Sequence, residues 1–201
     1  MVENYSEENL GRLKEEVELL VGRKIRSPKD FDFLARQILG YMNEKISVST
    51  LKRMWGYVAS ESKPSLFNLD LLSRMVGYPD WNAFVGGQDS SASSRFFMRS
   101  KLIADALDVD EEVRLTWNPG RIVTIKCLGN DTFVVLDAIN SKMQVGDTFV
   151  CHQFVAGEPC YLSNYQRANC APTNYAFGQS GGITWSLTPR AGERPYGLPL
   201  R

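Results

Sequence analysis

The stretch ISVSTLKRMWGY, residues 46–57, decides how the chain is read. At about 100° per residue, Val48, Leu51, Met54, Trp55 and Val58 fall on one side of a helix, and Ser49, Thr50, Lys52, Arg53 and Tyr57 on the other. The spacing predicts a helix anchored by an apolar stripe that presents a small polar and cationic face. Two readings fit that face. It is what water solvates on an ordinary surface helix. It is also apt for a DNA groove, because hydroxyls and first-turn amides hold phosphates and Arg bonds a guanine edge bidentately.

Working outward, apolar residues recur at helical spacing up to Val85 and alternate in short runs beyond about Glu112. The switch implies two domains. Helices are expected over 6–21, 28–42, 47–58, 64–76 and 80–85. Ser27 before Pro28, Ser47 before the third helix and Pro64 in a first-turn position supply the starts, and Gly77 ends the fourth. GGQDSSASS, residues 86–94, is too rich in Gly and Ser to form a core and reads as a flexible link. A segment over 95–107 is expected to be helical in part. Strands are expected at VRLTW, IVTIKCL, TFVVLDA, TFVCHQF, PCYLSNY, NYAFG and GGITWSL. Asn118-Pro119-Gly120 suits a type II turn, and Gly129-Asn130-Asp131 and Ala156-Gly157-Glu158 mark further reversals. The tail TPRAGERPYGLPLR reads as disordered.

The chain has 201 residues, 43% hydrophobic and 23% charged, which suits a soluble protein able to bury a core in each of two small domains. No apolar run approaches the ~18 residues of a membrane span and no secretory leader opens the chain, so a cytoplasmic protein is expected. Cys127, Cys151, Cys160 and Cys170 lack CxxC spacing and read as reduced thiols without a disulfide. Zero net charge weighs against a nucleic-acid partner, but it conceals an uneven distribution. Residues 22–63 carry nine basic side chains against four acidic, whereas residues 1–21 carry two against six.

ISVSTLKRMWG followed by PSLFNLDLLSRMVGY resembles the third and fourth helices of lambda repressor-like helix-turn-helix domains. The resemblance covers about residues 31–78. It implies that Ser and Thr open a recognition helix, that Leu69, Leu72 and Val76 close the core, and that Leu34 and the small Ala35 belong to the preceding helix. One departure is visible: ten residues separate Ala35 from Ile46, about six more than the family uses, so the second helix or the turn must be longer. NSKMQVGDTF and GEPCYL resemble the barrel of uncharacterised bacterial proteins described as regulators, a likeness that implies no established function.

The second domain offers no catalytic set. Self-cleaving repressors need a Ser nucleophile and a downstream Lys base, but no lysine follows Lys142, and Ser141 stands at the wrong interval from Gly146-Asp147. The single histidine, His152, is not brought to Ser141 or Asp147 by any sequence pattern. A zinc site from His152 with Cys151, Cys160 and Cys170 is awkward, since neighbours on one strand point to opposite faces; a packed or solvent-facing histidine is expected instead. QSGGIT, residues 179–184, reads as a tight strand connection. The aromatics Phe133, Phe149, Phe154, Tyr161, Tyr165, Phe177 and Trp185 are expected mostly in the core. A base-stacking platform is disfavoured because residues 95–188 carry eight basic against nine acidic side chains.

The expected molecule is therefore α+β: an all-α helix-turn-helix-like domain (1–86), a linker (87–94), a small antiparallel β-barrel or sandwich (95–188) and a tail (189–201). Lys45, Ser47, Ser49, Thr50, Lys52 and Arg53 are expected to contact double-stranded DNA. The β domain is expected to dimerise, to bind a small molecule or to dock another protein. No catalytic residue, metal, cofactor or membrane contact is expected. The alternative is a non-enzymatic interaction module whose helical domain binds protein rather than DNA.

Overall fold

Among the described residues of the N-terminal unit there are five helices, and each starts on a side chain that accepts a first-turn N–H: Ser6, Ser27, Ser47, Ser65 and Asp80. The computed structural model describes residues 5–87, 100–168 and 170–189. The chain divides into two units, Met1–Phe97 and Met98–Arg201. Of the expected linker, residues 88–94 lie outside the described residues, and so does the tail from residue 190.

The helices are α1 (Glu7–Val21), α2 (Pro28–Met42), α3 (Val48–Met54), α4 (Leu66–Met75) and α5 (Trp81–Gly86). Helix α2 opens with a capping box: Asp30 returns its carboxylate to the Ser27 N–H at 2.8 Å while Ser27 Oγ accepts the Asp30 N–H. The core is Leu10, Leu13 and Val17 of α1, Phe31, Phe33, Leu34 and Ile38 of α2, Leu51 and Met54 of α3, and Leu69 and Leu72 of α4, closed by Trp81 and Phe84. Among the described residues no helix is long and apolar enough to cross a membrane.

Two helix ends differ from expectation. Helix α3 stops at Met54, four residues early, because Gly56 turns the chain at φ 72 and the N–H groups of Tyr57 and Val58 both return to the Lys52 carbonyl, at 2.8 and 3.2 Å. Val58, placed by the wheel on the apolar face, is therefore exposed. Helix α4 starts at Leu66, and Pro64 precedes the Ser65 cap instead of occupying its first turn. The residues in excess between Ala35 and Ile46 are mostly helical: α2 runs to Met42, and Asn43, left-handed at φ 54, ends it.

The second unit is antiparallel β. Its strands are β1 (Lys101–Ile103), β2 (Glu112–Trp117), β3 (Arg121–Gly129), β4 (Thr132–Ile139), β5 (Thr148–Val150), β6 (Gln153–Val155), β7 (Cys160–Gln166), β8 (Thr173–Phe177) and β9 (Ile183–Leu187). Seven form one sheet in the order β8-β7-β5-β4-β3-β2-β9, and β1 pairs with β6. No ladder joins β8 to β9, so the antiparallel sheet is present without the closure of a barrel. Where partial helix was expected over 95–107, the described part is β1 and a single 3₁₀ turn, Ala104–Ala106. The run TFVCHQF is not one strand: it breaks at Cys151 and His152 into β5 and β6.

Alternation puts Val113, Leu115, Val123, Ile125, Phe133, Val135 and Phe149 on the buried face, with Phe133 between Phe149 and Phe154 at ring-centroid distances of 5.6 and 5.2 Å. Tyr161 alone of the seven aromatics considered is strongly exposed, and Trp185 is half-buried. Asn130 and Asp131, at φ 50 and 56, make the two-residue turn between β3 and β4. The Asn118–Pro119 bond is cis, and Gly120 follows at φ 60. The glycines of QSGGIT serve a close crossing: a Cβ on Gly182 would lie 2.1 Å from the Gly157 carbonyl carbon, beside the Gly157 N–H to Ile183 O bond of 2.8 Å.

Asp147, 2% exposed, organises the turn before β5. Its carboxylate accepts the Gln144 N–H at 2.8 Å, the Arg167 Nη2 at 3.1 Å and the Tyr165 hydroxyl. Burial alone would raise its pKa, but the bonds from Arg167, Tyr165 and Gln144 outweigh burial and hold it below the usual carboxylate range. The Tyr165 hydroxyl, buried and beside that carboxylate, is pushed up to about 12. Because the folded-state pKa of Asp147 is depressed, its stabilisation is complete above the ordinary carboxyl value and is lost as pH falls through the folded value. Asp147→Asn should cost the β unit about 2–3 kcal/mol at neutral pH and flatten the acid limb of its stability profile, read by chemical unfolding across pH.

Candidate functional site

Helix α3 is too short to be stable alone, so its position is set by what it packs on. Leu51 and Met54 are buried. Trp55, its C-cap, is half-buried, its ring edge-on to Phe31 with centroids 6.5 Å apart. The indole N–H donates to Glu18 Oε1 at 3.1 Å. Glu18 belongs to α1 and is 7% exposed; the same oxygen accepts the Ile25 N–H at 3.1 Å, and Lys24 closes on the other oxygen at 2.8 Å. Helix α3 is thus fastened to α1 by a hydrogen bond and to α2 by ring packing. Tyr57, expected on the free outer face, instead turns back onto Phe31 at 5.2 Å, and the Lys52 ammonium lies 6.0 Å from its ring.

The six side chains expected to contact a duplex fall into distinct settings. Ser47 is the N-cap, and its Oγ accepts the Thr50 N–H at 3.1 Å. Its hydroxyl also meets those of Ser49 at 2.9 Å and Thr50 at 2.8 Å, so the three form one local hydrogen-bonded group. Lys45, Ser49 and Arg53 are exposed; Lys52 and Thr50 are half-buried. Among the described residues none of Lys45, Lys52 and Arg53 is in an ion pair, whereas Lys24 and Arg74 are committed to Glu18 and Glu44.

Thr50 and Arg53 also line a cleft of about 640 Å³ between α1, α3 and the loop that follows α3. Leu10 and Met54 contribute its apolar floor; Lys14, Lys63, Glu7 and Glu61 contribute charge, and Ser60, Ser62 and Asn68 hydrogen-bonding groups. Lys45, Ser47, Ser49 and Lys52 lie outside it. Sequence reasoning missed Lys14, Lys63 and Glu18 as neighbours of α3. Their approach is tertiary, and Glu18 is one of six glutamates in residues 1–21 with no local mark of its role.

In the second unit, His152 is 78% exposed in its side chain and its Nδ1 lies 2.5 Å from Asp131 Oδ2. Ser141 Oγ accepts the Met143 N–H, and Asp147 is taken up by Arg167 and Tyr165, so neither is joined to the histidine. Cys151 is buried and His152 exposed in the break between β5 and β6. Among the described residues no group of three or more His, Cys, Asp or Glu side chains is arranged to hold a metal ion.

Comparison with protein-family models, with curated proteins and with solved structures matched nothing to this chain. The site therefore rests on its own geometry.

The Glu18 contact separates two contributions of Trp55. Trp55→Phe keeps most of the packing and removes the donor, and should destabilise the helical unit by about 1–2 kcal/mol. Trp55→Ala should cost about 2–4 kcal/mol, less than a fully buried ring. Helical circular dichroism during urea unfolding measures both; equal losses would show that packing contributes nothing.

Proposed function

We propose that the chain is a DNA-binding regulator whose helical unit docks through α3 and whose β unit dimerises or senses a ligand. The observation that carries this reading is the unpaired cationic face of a well-anchored helix. Leu51, Met54 and the Trp55–Glu18 bond hold α3 rigidly, while Lys45, Lys52 and Arg53 remain without carboxylate partners among the described residues. Cations left unpaired on a rigid element lose little side-chain pairing or backbone entropy when they meet phosphate. Arg53 has the planar fork suited to a guanine edge, and Lys52 and Lys45 suit phosphates. The helix-turn-helix resemblance supports the same reading. The longer α2 would change how the second helix braces α3 on the backbone. The β unit, on this reading a barrel or sandwich, would bring two heads together or respond to a small molecule.

A specific observation favours the second reading, a protein-binding module. Tyr57, Val58, Leu66 and Phe67 are exposed on the loop after α3 and the first turn of α4, an apolar group that a protein partner could cover.

Selection of genomic fragments with the purified full chain, at low and at physiological salt, tests the two together. A regulator enriches a defined site, and a protein-binding module enriches none. On the selected site Arg53→Ala should cost about 1–3 kcal/mol and relax preference at one position. Lys52→Ala should weaken all sequences alike and reduce the salt slope by about one unit. Melting temperature should barely change in either variant. If neither changes affinity, α3 is a scaffold.

A further inference from the structure

The β unit contains a thiol pair that the helical site does not involve. Cys151, in the break between β5 and β6, and Cys160, the first residue of β7, have their sulfurs 3.8 Å apart. Each is 3% exposed. Their backbones are pinned on opposite sides of the pair: the Cys151 N–H donates to Asp131 O at 2.9 Å, and Cys160 stands in register with Phe177 of β8. A disulfide needs a sulfur–sulfur distance of about 2.05 Å, so the atoms must close by roughly 1.75 Å. Side-chain torsions can supply that movement while both backbone attachments stay in place.

We propose that Cys151 and Cys160 are a peroxide-sensitive pair that closes to an intramolecular disulfide. The oxidant class follows from burial. Thiols this enclosed exclude a bulky disulfide reagent, whereas hydrogen peroxide is little larger than water. Cys151 also lies one residue from the exposed His152.

The two sulfurs have different roles. At 3.8 Å either sulfur can donate to the other; the contact lowers the Cys151 pKa against the opposing effect of burial and, together with burial, raises Cys160. Cys151, next in the chain to the exposed His152 and outside any ladder, is on this proposal the nucleophile, and Cys160, held in β7, the resolving thiol. Its thiolate attacks one peroxide oxygen, the O–O bond breaks, and hydroxide leaves to give Cys151 sulfenic acid. The Cys160 sulfur then attacks the sulfenic sulfur. The S–O bond breaks, the Cys160 proton leaves with the hydroxyl as water, and the disulfide forms. Two thiols are oxidised for each peroxide reduced. Closure links the end of β5 to the start of β7 and encloses β6, which pairs with β1.

The test exposes the reduced full-length chain to limiting hydrogen peroxide, quenches it, blocks remaining thiols under denaturing conditions and maps tryptic peptides. Cleavage after Lys142 and Arg167 puts both cysteines in one peptide, residues 143–167. That peptide should lose the mass of two hydrogens and both blocking groups, and a reductant should restore it. Cys160→Ser should instead leave Cys151 as a sulfenic acid that dimedone traps when it is present as the chain is denatured; should that variant not fold, the wild-type map still decides. The proposal is overturned if the peptide retains two blockable thiols while the exposed Cys170 is oxidised. It is equally overturned if Cys151 gains oxygen in the wild-type chain without the two-hydrogen loss.

Discussion

The buried carboxylate of Glu18 is the contact on which the arrangement of the helical unit depends. It joins three segments distant in sequence or direction: the end of α1 that carries it, the connection to α2 through the Ile25 N–H and Lys24, and the end of α3 through the Trp55 indole. A buried carboxylate is costly unless its oxygens are bonded, and here both are. The geometry makes the cost selective, because other directions for α3 leave Oε1 with one donor fewer. A helix of seven residues has little intrinsic preference to exist, so this directional bond and the burial of Leu51 and Met54 together fix where its outer face points.

The β unit uses the same device with different chemistry. Asp147 is held by an arginine, a tyrosine and a backbone amide, and the arginine Nη2 also reaches the Lys142 carbonyl at 2.5 Å, so one carboxylate ties the turn before β5 to β7 and its flank. Each unit therefore carries its own satisfied buried acid. Each of these acids takes up a cation of its own, Lys24 in the first unit and Arg167 in the second, so neither carboxylate is available to Lys52 or Arg53 on α3.

Much of this was legible in the sequence where the deciding physics is local. Helices α1, α2 and α4 begin within two residues of expectation; the Ser27 cap of α2 is read from adjacent residues, whereas the expected start of α4 rests on Pro64 and its cap is Ser65, and Gly77 at φ 95 follows α4. Helix α3 was misjudged because its apolar spacing continues through Trp55 and Val58, whereas the left-handed Gly56 stops the helix before the pattern does. The break in TFVCHQF follows from apolar spacing: Phe149 and Cys151 are two apart, but Phe154 follows at three, and a strand cannot slip phase without a bend. Strand β1 offers only three residues, too few for alternation to be seen. The walls of the cleft beside Arg53 come from α1, α3 and the loop, and no local pattern brings Lys14 and Lys63 to one place.

If α3 reads a duplex, its length limits how. Seven residues at about 1.5 Å each span about 10 Å, or roughly three base pairs at 3.4 Å. Lys45 and Lys52 can neutralise about two phosphates, and each contributes a salt slope of about 0.9. Two such contacts give one helical unit a salt slope of only about 1.8, far below that of a protein making six to ten. The N-terminal excess of glutamate keeps its non-specific attraction weak as well. Useful affinity on this reading requires two heads on half-sites about one helical turn apart, which doubles the phosphates met and makes spacing part of the recognition. On that reading a head so sparing in charge would leave pairing to the β unit, because two copies together would supply the affinity that α3 alone would lack.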